Sequence, residues 1–138
     1  MLTKISVENF KSFETPVELS MVSSSKIQGN SDHKISIGSL TLLKNTVIYG
    51  ANASGKTNLI DFFRFFKSTL EIGLPVWSSR FFCKNHKENE TKESSFELQF
   101  SIENMFYAYG FKAVLSERKI TGEWLYRLYQ NGSSKLIF

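Results

Sequence analysis

Polar residues separate Leu2, Ile5 and Val7 in the opening segment LTKISVENF, a loose period of two that predicts a β-strand. PVELSM, after Pro16, predicts its hairpin partner, so antiparallel sheet is expected at the start of the chain. Residues 23–34 are polar and serine-rich, with Gly29 and Asn30, and predict a long loop. Leu40–Leu43 reads as a short strand, and the run from Thr46 to Tyr49 as a buried one. After a glycine-containing break, Leu59, Phe62, Phe63, Phe66 and Leu70 recur with helical spacing. Ile60 and Phe65 widen that stripe toward burial on most sides, and Gly73 and Pro75 end the helix.

Downstream, residues 84–93 (KNHKENETKE) carry charge without an apolar anchor and predict a solvated loop, with His86 a loop residue. The period then returns to two. Phe96, Leu98, Phe100 and Ile102 face one way, while Glu97, Gln99, Ser101 and Glu103 face solvent. MFYAYGFKAVL and EWLYRLYQ continue the alternation, and Asn131-Gly132 marks a hairpin turn before SKLIF. The expectation is an antiparallel meander whose last strand is cut short at Phe138.

A length of 138 residues suits one domain, and 41% hydrophobic against 22% charged residues excludes a disordered or fibrous chain. Thirteen phenylalanines imply an aromatic core or an apolar face awaiting a partner. The net charge is +4, but the lysines are scattered, which argues against a dedicated nucleic-acid surface. A single cysteine, Cys83, excludes an intrachain disulfide and a multi-cysteine metal site, and reads as a partly buried thiol. Neither a signal peptide nor a membrane-spanning run is visible, so cytoplasmic residence is the default expectation.

The break itself carries the chemistry. Gly50-Ala51-Asn52-Ala53-Ser54-Gly55-Lys56-Thr57 fits G-x-x-x-x-G-K-[ST], the phosphate-binding loop. Its glycines permit a tight turn whose N–H groups converge on phosphate oxygens, and the following helix adds its positive end. In that arrangement Lys56 reaches the β- and γ-phosphates and the Thr57 hydroxyl ligates Mg²⁺. An apolar run before the loop and an amphipathic pattern after it supply the context that the motif requires, so a nucleoside triphosphate with Mg²⁺ is the expected ligand.

ISVENFKSF followed by VIYGANASGKTNLIDFF resembles the start of the RecF/SMC-type, ABC-like ATPase heads. It is most similar to bacterial AAA-family ATPases whose loop reads G-A-N-A-S-G-K-[ST]-N-L, among them OLD-type proteins of phage defence. FELQFSI, YAYGF and EWLY extend the resemblance over most of the chain. It implies nucleotide-binding roles for Gly50, Asn52, Ala53, Ser54, Gly55, Lys56, Thr57 and Asn58. Lys11 and Ser12 match a basic-serine pair that lies near the nucleotide in that family, with a plain hairpin turn as the alternative.

The same resemblance sets out what is not legible: a signature motif, a hydrophobic run ending in an acidic pair, and a switch histidine. No catalytic residue is therefore expected in this chain. The expected fold class is α/β, the N-terminal lobe of an ABC-like head, with antiparallel strands around the phosphate-loop strand and helix. A C-terminal lobe or a second head would complete the site, and action on DNA would belong to the full assembly. Two other enzyme classes are open to a phosphate loop. A small kinase would need an acceptor site and lid arginines, and a GTPase would need N-K-x-D, which is not completed here. A non-catalytic interaction module is the remaining alternative, and an open sheet edge predicts self-association.

Overall fold

The computed structural model describes every residue except 25, 27, 28 and 30. Those four positions of the predicted 23–34 loop lie outside the described residues. The expected loop ends earlier than residue 34, since Ser31–His33 forms a 3-10 turn and Lys34 already starts a strand.

Six strands form one antiparallel sheet: β1 (Leu2–Glu8), β2 (Val17–Ser20), β5 (Ser94–Ile102), β6 (Met105–Val114), β7 (Lys119–Leu128) and β8 (Ser134–Leu136). Their order is β2-β1-β5-β6-β7-β8. β3 (Lys34–Ile37) and β4 (Leu40–Leu43) make a separate two-stranded ribbon, and α1 (Lys56–Ile72) lies between β4 and β5 in the chain. The predicted opening hairpin and closing meander are thus present. What local pattern does not reveal is the central pairing of β1 with β5, where Val7 sits opposite Phe96 and Ile5 opposite Leu98.

That pairing creates the floor of the core. Ile5, Val7, Phe96 and Phe111 share one face of the sheet, because side chains alternate and register partners stay on the same side. α1 presses Phe62, Phe65 and Phe66 onto it, with ring centroids 4.8 Å apart for Phe65 and Phe96 and 5.5 Å for Phe66 and Phe111. Phe10 closes the cluster at 5.5 Å from both Phe65 and Phe96. Tilted and edge-on rings at these separations contribute about 1 kcal/mol per pair beyond their burial.

The helix corrects the predicted stripe. Its buried residues are Phe62, Phe65, Phe66 and Thr69, while Ile60 and Leu70 are exposed by 62% and 56% and Phe63 is also exposed. Its sequence carries two apolar stripes, and a single sheet can cover only the one that faces it. Gly73 ends α1 at φ 78, donating its N–H to Thr69 O at 3.0 Å.

Thr46–Tyr49, expected as a buried strand, is neither buried nor a strand: Val47 is 80% and Tyr49 91% exposed. A β-branched run becomes a strand only where another backbone takes up its N–H and C=O groups, and no described strand lies beside it.

On the opposite face of the sheet Gly110 leaves room for the ring of Trp124. A Cβ there would intrude on that ring and lie 2.6 Å from Phe96 O. Trp124 Nε1 in turn donates to Glu97 Oε2 at 3.0 Å. Gln99 is half-buried on this face rather than solvent-facing, donates to Glu97 Oε1 at 3.0 Å and lines a 220 Å³ cavity with Lys4, Phe106 and Leu128.

Candidate functional site

Turns, not strands, position the candidate loop. Ser54 N donates to Ala51 O at 3.3 Å, and Ala53 and Gly55 take φ of 62 and 89 to fold the chain back before α1. A left-handed alanine costs about 1–2 kcal/mol, a strain that tends to be retained where a site needs the shape. At Gly55 a Cβ would lie 3.0 Å from Ser12 Oγ and 3.4 Å from the Phe13 ring. The positive φ and this crowding both favour glycine there.

Gly55 is also the N-cap of α1, and no side chain caps it. Asn58 N and Leu59 N close onto Gly55 O at 3.0 and 3.3 Å. The preceding helical amides, those of Lys56 and Thr57, have no carbonyl one turn back within the helix and are left for an outside acceptor. No acidic residue occupies the first turn to neutralise the helix dipole. The arrangement suits an anion. Residues 52–58 line a 240 Å³ hollow at this point.

Lys56 folds into its own loop, donating from Nζ to Gly50 O at 2.8 Å and Ala51 O at 2.6 Å, with Ser54 Oγ at 3.3 Å. Carbonyl oxygens hold an ammonium group as substitutes for phosphate oxygens, so the amine already stands at the mouth of the hollow. Thr57 is exposed on the first turn, its hydroxyl available to an incoming metal. The donor set thus fits a magnesium-bound phosphate chain: converging amides, one ammonium group and one hydroxyl. Among the described residues no cluster of three His, Cys, Asp or Glu could hold a metal ion by itself.

The structure brings the Lys11–Ser12 pair to the same place. Ser12 Oγ accepts from Asn58 Nδ2 at 2.6 Å, and Lys11 Nζ is bonded to Asp61 on the second turn of α1 while sitting 4.1 Å above the Phe81 ring. Lys11 therefore has a carboxylate partner already, which sequence spacing did not disclose.

Behind this turn lies a polar framework that sequence reasoning missed. Asn9, 4% exposed and at φ 49, accepts from Cys83 N at 3.0 Å and donates to Asn89 O at 2.9 Å. Ser94 Oγ donates to Asn9 O at 2.6 Å. Asn89 and Asn85 donate to the two oxygens of Glu14 at 2.9 and 3.1 Å, and His86 Nε2 lies 3.4 Å from it. Those amide bonds, Asn89 first, hold the Glu14 carboxyl below its usual range, with His86 adding attraction.

The 84–93 segment is consequently not the unanchored loop expected: Lys87–Glu90 is a 3-10 turn and Asn89 is buried. Cys83 is wholly buried rather than partly so. Polar anchors of this kind leave no apolar periodicity to read; the one hint is the density of asparagines.

A family model described as AAA ATPase domain matches residues 1–136. The chain belongs to the AAA ATPase domain family. Members of that family are nucleotide-binding P-loop ATPases that use ATP with Mg²⁺, and the mixed α/β architecture with a mostly antiparallel sheet is the form it takes here. Comparison with curated proteins gives no match. Among the described residues of this AAA ATPase domain, no helix is long and apolar enough to cross a membrane.

Proposed function

We propose that this AAA ATPase domain binds MgATP through Gly50, Asn52, Ala53, Ser54, Gly55, Lys56, Thr57 and Asn58. The carrying observation is the uncapped start of α1, entered through a left-handed Gly55, with Lys56 Nζ held at the loop mouth. Backbone amides would receive the β- and γ-phosphates, Lys56 would exchange its carbonyl partners for them, and Thr57 Oγ1 would supply one oxygen ligand to magnesium. Ser12 walls the loop through Asn58.

We further propose that the domain is the N-terminal lobe of an ABC-like head of the RecF/SMC and OLD-like kind. Support comes from exposed apolar surface beside the loop: Val47 and Tyr49 ahead of it, and Ile60, Leu70 and Ile72 on the outer side of α1. Strands from a C-terminal lobe or a second head would pair with residues 46–49 and cover that stripe. The same partner would supply the acidic groups that polarise water, so efficient hydrolysis belongs to the assembly, and binding to this chain. Action on DNA, as in repair or phage defence, and cytoplasmic residence go with that reading. Until covered, the surface favours self-association.

Calorimetric titration with MgATP tests the proposal, with Lys56→Ala as the control. Binding by the wild type that is lost in the variant is the expected outcome. A folded wild type that ignores MgATP, or a variant that binds equally well, refutes it. The exposed apolar surface also favours a second reading, a non-catalytic interaction module. Partner capture that survives Lys56→Ala, with no nucleotide bound by the wild type, would decide for that reading.

A further inference from the structure

Two cavities adjoin the phosphate loop, and they differ in chemistry. One, of 360 Å³, shares Gly50, Ser54, Gly55 and Lys56 with the loop and is otherwise walled mostly by apolar side chains such as Val7, Leu19 and Leu59. The other, of 470 Å³, is reached through Asn58 and Ser12 and is lined by Lys11, Arg80, Lys84 and Asn85, with Phe81 and Phe82 behind. No carboxylate lines this second cavity. Lys11 is paired with Asp61, whereas Arg80 and Lys84 form no ion pair among the described residues.

Hydrogen bonds hold the segment beside these cations against the N-terminal turn. Lys11 N donates to Phe81 O at 2.6 Å, Cys83 N to Asn9 Oδ1 at 3.0 Å, and Asn85 Nδ2 to Glu14 Oε2 at 3.1 Å. Three bonds thus stitch residues 81–85 to the turn that carries Lys11 and Ser12. Arg80 and Lys84 are exposed as well as unpaired, and two such cations held beside an anion-binding helix end make a positive field that favours an anion there.

Direction along the phosphate chain decides which anion. Lys56 marks the γ-phosphate end and lines the apolar cavity, so a triphosphate leaves the loop at its other end, past Thr57 and Asn58. We propose that the basic cavity seats the nucleoside end of the bound nucleotide. Arg80 and Lys84 hold the α-phosphate, and the Asn58, Asn85 and Ser12 polar groups face the ribose. The assignment rests on the phosphate-loop reading given above and adds to it a segment, residues 80–85, that lies outside the motif.

The test titrates the wild type, Arg80→Ala, Lys84→Ala and the double variant with MgATP and, separately, with magnesium pyrophosphate, which fills only the inner phosphate positions. Lys56→Ala serves as the loop control, and amide NMR spectra establish that each variant is folded. The expected result is an affinity for MgATP at least about tenfold weaker in the double variant, retained in Arg80→Lys, with pyrophosphate binding unchanged. Unchanged MgATP affinity in a folded double variant overturns the assignment, while loss of pyrophosphate in Lys56→Ala keeps the loop reading intact. An equal loss of both ligands in the double variant also overturns it, as a general charge effect. If the wild type binds neither ligand, both readings fall. Weakened binding of a single-stranded oligonucleotide in the double variant, with MgATP unaffected, would reassign the cavity to a phosphodiester backbone and refute the proposal.

Discussion

Ser12 and Gly55, forty-three positions apart in the chain, lie in close contact: a Cβ on Gly55 would stand 3.0 Å from Ser12 Oγ, which accepts from Asn58 at 2.6 Å. The N-terminal turn and the phosphate loop are therefore in direct contact. Gly55→Ala meets both this crowding and a φ of 89. It is expected to weaken MgATP binding by about tenfold or more, since strain of about 1–2 kcal/mol would reshape the loop. The fold, which rests on the aromatic core, should survive. Calorimetry beside far-UV circular dichroism checks both halves; undiminished affinity would mean that the loop tolerates the turn another way.

Asn9 is expected to matter more for stability than any other polar residue near the site. Asn9→Ala strands the buried Cys83 N–H and removes the bond to Asn89 O, a combined cost of about 2–4 kcal/mol. Asn9→Gly loses the same bonds but tolerates φ 49, so it should be about 1 kcal/mol less damaging. Urea denaturation of the two variants separates the terms. Equal stabilities would remove backbone strain from the account.

The Glu14 clasp should respond to acid. Its carboxyl titrates below the usual value because Asn89 and Asn85 donate to it, so the folded chain binds this proton less readily than the unfolded one. The stabilisation it provides is present above the unfolded-state value of about 4.3 and fades as pH falls through the lower folded-state value. Amide exchange at residues 83–91 should accelerate there, ahead of global unfolding. Asn89→Ala should move the Glu14 titration upward toward that of an ordinary glutamate, as followed by carboxyl NMR; an unmoved titration would assign the depression elsewhere.

Thr69 offers a gain. Its Oγ1 is buried without a hydrogen-bond partner among the described residues, while its carbonyl independently accepts from Gly73 N. Thr69→Val keeps the shape and removes the unmet hydroxyl, so thermal unfolding should show about 0.5–1 kcal/mol of added stability. A loss would show that the hydroxyl is satisfied in solution.

The alternation in residues 96–128 and the helical recurrence after Lys56 were enough to place β5, β6, β7 and α1, because each period reports one backbone geometry directly. The G-x-x-x-x-G-K-[ST] motif stood out for a similar reason: phosphate-loop chemistry needs particular residues at contiguous positions. Which of the two apolar stripes on α1 is buried was not legible, since both satisfy the helical period and only the sheet formed by joining β1 to β5 chooses between them. The strand expected at Thr46–Tyr49 failed likewise, because a strand is a relation between two backbones and one sequence segment can state only its willingness. The sequence by itself thus determined the strands and helix that carry a clear period, and the motif on which the proposed nucleotide site rests. Tertiary structure alone decided that Asp61 takes Lys11, that Asn9 and Glu14 tie down residues 83–91, and that Arg80 and Lys84 come to rest beside Asn58. Those outcomes depend on contacts between distant segments, and no periodicity records them.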